Sequence, residues 1–267
     1  MNIKHIRIRD QPQTECNKCP VRELALFQGV PVNNLEWTQE YRDQQFIVPP
    51  KATLYEEGSR PDYVYTLFNG WMVMYQTSRN GKRQILRFAL PGDFIGFQAD
   101  ENGIISHSVS AITESIVCAF PRSGLLELLE SQPMLPLRLA SMESRDMSLC
   151  QHHQAFSSSK DAHESVAFLL LELFYRTRLQ MRHHYDPVTN SIKFPLTQED
   201  IADAVGLTNI HVNRVLRQFR KLGLIECSKK KLTILSEENL AEIGDFDKSI
   251  INKGDYFSIK FEEEQAN

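Results

Sequence analysis

One stretch limits what this chain can fold into more than any other. From Thr197 to Arg220, "TQEDIADAVGLTNIHVNRVLRQFR", two runs of helical character stand on either side of a single glycine. Thr197 suits the N-cap of the first run, with Asp200 three residues on as a weaker capping-box partner. Ile201, Ala202 and Val205 form its inward side, Gly206 stops it, and Thr208 caps a restart. Val212, Val215 and Leu216 continue the apolar side of the second run. Its other positions carry Asn209, Ile210, His211, Asn213, Arg214 and Arg217. A small residue at Ala202 lets the helices approach, and two capped helices about a tight turn spell a helix-turn-helix.

Charge sharpens this reading. The chain carries a net −4, yet between Thr208 and Lys231 seven basic side chains face the single Glu226. A solvated structural helix would intersperse Asp and Glu. A compact basic patch on an otherwise acidic chain is the footprint of a polyanion-binding face. Downstream, "GLIECSKKKLTIL" sets two short β-prone runs around a basic turn, as a phosphate-touching wing requires. The expected partner is double-stranded DNA.

Side-chain chemistry then assigns roles. Arg214 can fork onto guanine O6 and N7, and Asn213 can pair with the adenine edge. Ile210 has no polar atom to offer, so its target is a thymine methyl. His211, Asn209 and Arg217 suit phosphate or base, and an exposed His211 without a specific contact fits equally well. Thr197, Gln198 and Thr208, near helix N-termini, suit phosphate.

Ahead of this region the hydrophobic pattern has two periods. From Phe46 to Phe120 aromatic and β-branched runs alternate with glycines, and Asn80-Gly81 suits a type I′ hairpin turn. Short, closely spaced strands suggest a β-barrel or jelly roll. After Pro121 the period becomes helical. A short helix in "RSGLLELLESQP" precedes a longer one in which Leu135, Leu139, Met142, Leu149 and Phe156 form a seam interrupted by Asp146 and His153. A second stripe, Ala140, Met147, Cys150 and Gln154, fits a partner helix or an internal core equally well. "SSSKD" at 157–161 reads as a hinge and helix start.

The order of these parts, with "PGDFIG" at 91–96 and "LTQEDIADAVGLTNIHVNRVLRQF" near the end, resembles the Crp/Fnr superfamily of bacterial transcription regulators over about Cys16 to Leu235. The resemblance implies an α+β chain. Its parts are an N-terminal segment with CxxC (1–24), a sensory double-stranded β-helix or jelly roll of the cyclic-nucleotide-binding kind (25–121), and helices including a dimerisation helix (122–158). A winged helix-turn-helix (159–236) and a C-terminal tail (237–267) complete it. It also implies a homodimer on a two-fold symmetric operator, and often activation of RNA polymerase. Members that bind cyclic AMP hold its phosphate with an Arg-Ser pair; the matching "IISHSVSAI" has Ile105 before Ser106 and no arginine. Well-known members place a Glu where Ile210 stands, whereas Arg214 keeps the family's Arg, so an altered half-site is expected.

Cys16, Cys19 and Cys118 match positions that the oxygen-sensing branch uses for an iron-sulfur cluster. The branch's next N-terminal cysteine is replaced within "PVRELALF". A non-cysteine fourth ligand, a redox dithiol, a zinc half-site or plain packing all remain open for these three. Cys150 is placed near a dimer seam, and Cys227 in the wing reads as structural. His152–His153 and His183–His184 with Asp186 hint at an enzyme's metal site, but adjacent histidines do not face together on a helix. Phosphate loops and nucleophile elbows are absent, so no enzyme is expected. A ligand-binding module acting on protein partners is the remaining alternative. Steep salt dependence of DNA binding separates it from a regulator. With no bilayer-length apolar run and no signal-peptide core, the expected location is cytoplasmic.

Overall fold

A computed structural model describes residues 6–9, 14–26, 41–100, 102–159 and 161–252. The stripe position Gln154 and the seam position Phe156 have side chains outside the described set, and residues 253–267 of the tail lie outside it altogether. The chain divides into two compact units, one built on Met1–Gln76 and Phe88–Ser144, the other on Thr77–Arg87 and Arg145–Lys253.

In the roll, strands β1 (Arg7–Ile8), β2 (Gln44–Val48), β3 (Thr53–Tyr55), β4 (Tyr63–Asn69), β5 (Met72–Thr77), β6 (Arg83–Ala89), β7 (Phe94–Ile95), β8 (Ser108–Ala111) and β9 (Ser115–Pro121) form two sheets. One has the order β1-β2-β9-β4-β7 and the other β3-β8-β5-β6. Strand alternation sorts the side chains between two clusters. Val117 and Ala119 join Tyr65, Leu67, Met72 and Ile105 in the roll interior. Cys118 and Phe120, one residue out of phase, join Val64, Phe94 and Leu26 on the outer face. Burying each large apolar side chain stabilises by roughly 1.5–3 kcal/mol, and a one-residue slip of β9 would turn each set toward the other cluster, where its side chains no longer match the neighbours.

The Asn80-Gly81 turn departs from the type I′ expectation. Gly81 has φ +79°, but Asn80 stays out of the left-handed region. Gly81 N–H donates to Ser78 O and Ser78 N–H to Lys82 O, a type I turn followed by a left-handed glycine. Asn80 instead accepts from Ser78 Oγ and from the Lys82 amide.

Helices α1 (Leu125–Ser131) and α2 (Met134–Ser159) follow. Leu135, Leu139 and Met142 of α2 pack into the outer-face cluster, and Leu149 is buried further along. Asp146, which interrupts the seam, pairs with Arg87 and Arg145. Met147 of the second stripe is 61% exposed, and Ala140 and Cys150 are exposed too among the described residues. The expected hinge is shorter than "SSSKD": α2 continues through Ser159, and Asp161 is the N-cap of α3 (Ala162–Gln180).

The second unit is organised around α3, buried almost throughout. Strands β10 (Tyr185–Asp186) and β11 (Ser191–Lys193), helices α4 (Gln198–Val205) and α5 (Asn209–Lys221), strands β12 (Ile225–Ser228) and β13 (Lys231–Ile234), and helices α6 (Glu237–Gly244) and α7 (Ser249–Asn252) complete it. The wing strands β12 and β13 belong to a four-stranded sheet, β10-β11-β13-β12. No helix among the described residues is long and apolar enough to cross a membrane.

Gly206 ends α4 in the left-handed region at φ +72°. A Cβ there would meet no atom within 4 Å, so its replacement costs conformation alone. Gly206→Ala is expected to destabilise by about 1–2 kcal/mol and Gly206→Asn by less, read as shifts in the urea unfolding midpoint.

Candidate nucleic-acid interface

Two caps build the reading element. Thr197 Oγ1 accepts from the Asp200 amide at 3.1 Å, and Asp200 Oδ2 accepts from the Thr197 amide at 2.9 Å, a reciprocal capping box. Thr208 Oγ1 accepts from the His211 amide at 3.3 Å to start α5. Between them the Gly206 and Leu207 amides close on Ala202 O. Ile201, Ala202 and Val205 of α4 are buried, as are Val212, Val215, Leu216 and Phe219 of α5. The apolar sides therefore fix the pair, and the remaining positions of α5 are left to solvent.

Those positions converge. Thr197, Gln198, Asn209, Ile210, Asn213, Arg214 and Arg217 line one open concavity. Ile210 is 82% exposed, an arrangement that folding alone does not favour. Among the described residues Arg214 and Arg217 make no hydrogen bond or ion pair, so both guanidinium forks are available. Thr208 and His211 do not line this concavity. Thr208 serves as a cap, and His211 lies exposed beside it.

Two residues of the region escape a sequence reading. Glu199 lines the same concavity; its carboxylate disfavours phosphate there and can accept only from a donor such as the cytosine amino group. Arg83, on β6 within the same compact unit, forks onto α4, with Nη2 at 2.8 Å from Asp200 Oδ1 and Nε at 2.7 Å from Asp203 Oδ2. Asp200 thus satisfies the cap with one oxygen and Arg83 with the other. The acidic character of α4 gave the only hint that a cation from elsewhere would be needed.

The wing turn carries Lys229 and Lys230 at φ 50° and 60°, two left-handed residues in succession, as a tight turn between paired strands demands. Both lysines are exposed. Cys227, half-buried beside them, has its thiol pushed up by burial, which suits a structural role.

The three N-terminal and roll cysteines gather without completing a cluster site. Cys16 and Cys19 flank a 3-10 turn. Burial pushes the Cys19 thiol up to about 11, with Cys118 and Cys16 adding to the rise. Cys118 is buried, its sulfur accepts from Gln45 Nε2 at 3.2 Å, and burial raises its thiol too. Within "PVRELALF", Ala25 and Leu26 are buried at 2% and 1% exposure and offer no donor. Among the described residues no group of three or more His, Cys, Asp or Glu side chains is placed to hold a metal ion. A four-thiolate iron-sulfur cluster does not fit the described donors. The histidine pairs serve packing and hydrogen bonding: His152 stacks on Phe168, His153 bonds Glu172, and His183 meets His184 ring to ring.

Comparison with known proteins places these features. Residues 164–243 match the Crp-like helix-turn-helix domain and residues 46–132 the cyclic nucleotide-binding domain. The chain is 34% identical over 218 residues to the transcriptional activatory protein AadR of Rhodopseudomonas palustris, covering 79% of this chain and 86% of that protein. It is 28% identical to the transcriptional activator protein FnrL of Cereibacter sphaeroides, covering 86% and 92%. The structure of FixK2 from Bradyrhizobium japonicum superposes with a TM-score of 0.66 at 25% identity, covering 75% of this chain and 96% of that one. The open reading helix, the roll that precedes it and these relatives converge on one assignment: the chain belongs to the Crp/Fnr family of DNA-binding transcription regulators.

Proposed function

We propose that this regulator works as a homodimeric transcription activator on a two-fold symmetric operator, with α5 in the major groove. The observation that carries the reading is the open concavity where Asn209, Ile210, Asn213, Arg214 and Arg217 lie together beside the α4 N-terminus. Arg214 reads guanine, Asn213 adenine and Ile210 a thymine methyl. Thr197 and Thr208 sit where helix N-termini meet phosphate. Arg217, His211 and Asn209 complete the contact set. One short helix reads few base pairs, and a symmetric second copy multiplies the discrimination. The exposed positions Ala140, Met147 and Cys150 of α2, with Met147 61% exposed, offer a surface for that second copy. Activation follows the named relatives, and RNA polymerase is the partner it implies.

Residues 25–121 form the sensory domain in this reading, 159–236 the DNA-binding domain, and the signal is one other than cyclic AMP. Ile105 is buried in the roll interior, and Tyr55 Oη meets His107 Nε2 at 3.0 Å in a buried pair. These side chains fill space near the stretch where cyclic-AMP-binding members carry their phosphate-holding arginine.

Selection of bound sites from genomic fragments, with and without oxygen, tests the reading. The expected product is a palindromic site with half-sites one helical turn apart, bound with steep salt dependence. Lys229→Gln and Lys230→Gln are each expected to reduce the magnitude of the log–log salt slope by about 1 with unchanged base preference. Salt-insensitive association would remove DNA as the partner.

A further inference from the structure

We propose that Gln198 is a positioning residue for base recognition: it holds the Asn213 carboxamide in an orientation whose remaining edge matches adenine. The proposal rests on the reading of α5 as the element that enters the major groove, and it gives Gln198 a role beyond a phosphate contact.

The two residues are 15 positions apart and sit on different helices. Asn213 Nδ2 donates to Gln198 Oε1 at 2.8 Å, and both side chains line the reading concavity. A carboxamide nitrogen carries two hydrogens. Adenine presents an N7 acceptor beside an N6 amino donor in the major groove, so it asks for one N–H and one carbonyl oxygen side by side. In the proposed arrangement Gln198 takes the hydrogen of Asn213 Nδ2 that points away from Oδ1, and the other hydrogen together with Oδ1 forms the edge that adenine requires.

Without that tie the last torsion of an asparagine is broad and two-fold. A freely turning carboxamide offers its oxygen or its nitrogen to either side and accepts a cytosine amino group as readily as it reads adenine. The anchors of the tie are firm. Gln198 is the first residue of α4, where the Thr197–Asp200 capping box fixes the backbone and Arg83 holds Asp200. Asn213 is flanked by Val212 at 0% exposure, with Val215 at 0% and Leu216 at 3% holding the same turn of α5. Two helices whose spacing is set by buried packing therefore hold one amide at a fixed angle.

The test uses full-length protein and the operator obtained by selection, with every base placed in turn at each position. Wild-type protein is expected to select adenine at one position of each half-site. In Gln198→Ala, discrimination for that adenine falls about tenfold, while discrimination at the other positions stays unchanged. Asn213→Ala loses the same discrimination, and the double variant loses no more than Asn213→Ala alone, as coupled residues require. Gln198→Glu keeps an acceptor and restores the adenine preference while its charge weakens all duplexes alike. A uniform loss across all sequences in Gln198→Ala, or an adenine preference that survives, overturns the proposal and leaves Gln198 a phosphate contact. No adenine selected by the wild type also overturns it. Arg214→Ala serves as the separate control. If that variant keeps full selectivity, the placement of α5 in the groove fails, a result independent of Gln198. Gln198 is exposed, so unchanged urea unfolding of its variants excludes a folding defect.

Discussion

Arg214→Ala is expected to weaken binding to the selected operator by about five- to 150-fold, equivalent to roughly 1–3 kcal/mol, and to relax preference at one base pair. The magnitude follows from the geometry of the fork. Arg214 is exposed on α5, in the concavity, between the buried neighbours of the apolar side. Two parallel N–H donors match guanine O6 and N7, and the loss of one partner leaves both acceptors unpaired in a desolvated groove. Arg214→Lys separates charge from shape. A lysine keeps the phosphate attraction but not the rigid fork, so affinity for unrelated duplex is retained while guanine discrimination falls. Fluorescence anisotropy with cognate and guanine-substituted operators measures both. An unchanged ratio between these two duplexes in Arg214→Ala would remove the assignment.

Glu172→Ala is expected to have the largest effect on stability, about 3–5 kcal/mol. Glu172 lies on α3 at 3% exposure, with Arg176 one turn on at 2%. Arg176 Nη1 donates to its Oε1 at 3.0 Å, and His153 of α2 meets its Oε2 at 2.7 Å. Removal of the carboxylate takes an acceptor and a negative charge from a buried guanidinium and from His153 at once, a large fraction of the 5–15 kcal/mol typical of a whole domain. The urea unfolding midpoint of the full chain reads the loss. Replacement of both Glu172 and Arg176 by Met is expected to recover most of it, because two apolar side chains of similar length incur no desolvation cost. A double variant no more stable than Glu172→Ala would show that the pair contributes through shape rather than charge.

The same group sets an acid limit. Burial alone would raise the Glu172 carboxyl, but the His153 hydrogen bond and the charges of His153 and Arg176 hold it below the ordinary range. The folded state therefore binds this proton less readily than the unfolded chain does. Its contribution is full above the unfolded carboxyl's pKa and fades as pH falls through the lower folded value. Glu172→Gln is expected to flatten unfolding free energy against pH in that acid window, with the neutral-pH end lowered.

The reading element was largely legible because its signals are local. Thr197, Asp200, Gly206 and Thr208 act within three residues of one another, and helical periodicity alone separates Val212, Val215 and Leu216 from Asn209, Ile210 and Arg214. Long-range features left weaker traces. Arg83 meets Asp200 across 117 positions, and nothing near Arg83 announces that partner. Strands β10 and β11 are only two and three residues long, too short for alternation to register, and the four-stranded sheet of the wing was missed with them. The Asn80-Gly81 pair misled for a related reason. A two-residue turn and a longer one share that dipeptide, and the choice lies in the Ser78–Lys82 hydrogen bonds. The seam-breaking Asp146 and His153 looked like defects in an apolar stripe, whereas Asp146 pairs with Arg87 and His153 hydrogen-bonds Glu172.

Arg83 has a bearing on how the molecule can be dissected. A fragment beginning near Arg145 would retain every side chain that lines the concavity of α4 and α5 and yet leave Asp200 and Asp203, one helical turn apart, without Arg83 as their cation. Such an excised piece should bind duplex less well than the intact chain, with the deficit eased by Asp203→Asn. The autonomy usually granted to a small winged module would here be incomplete, because part of its counter-charge is encoded more than a hundred residues upstream.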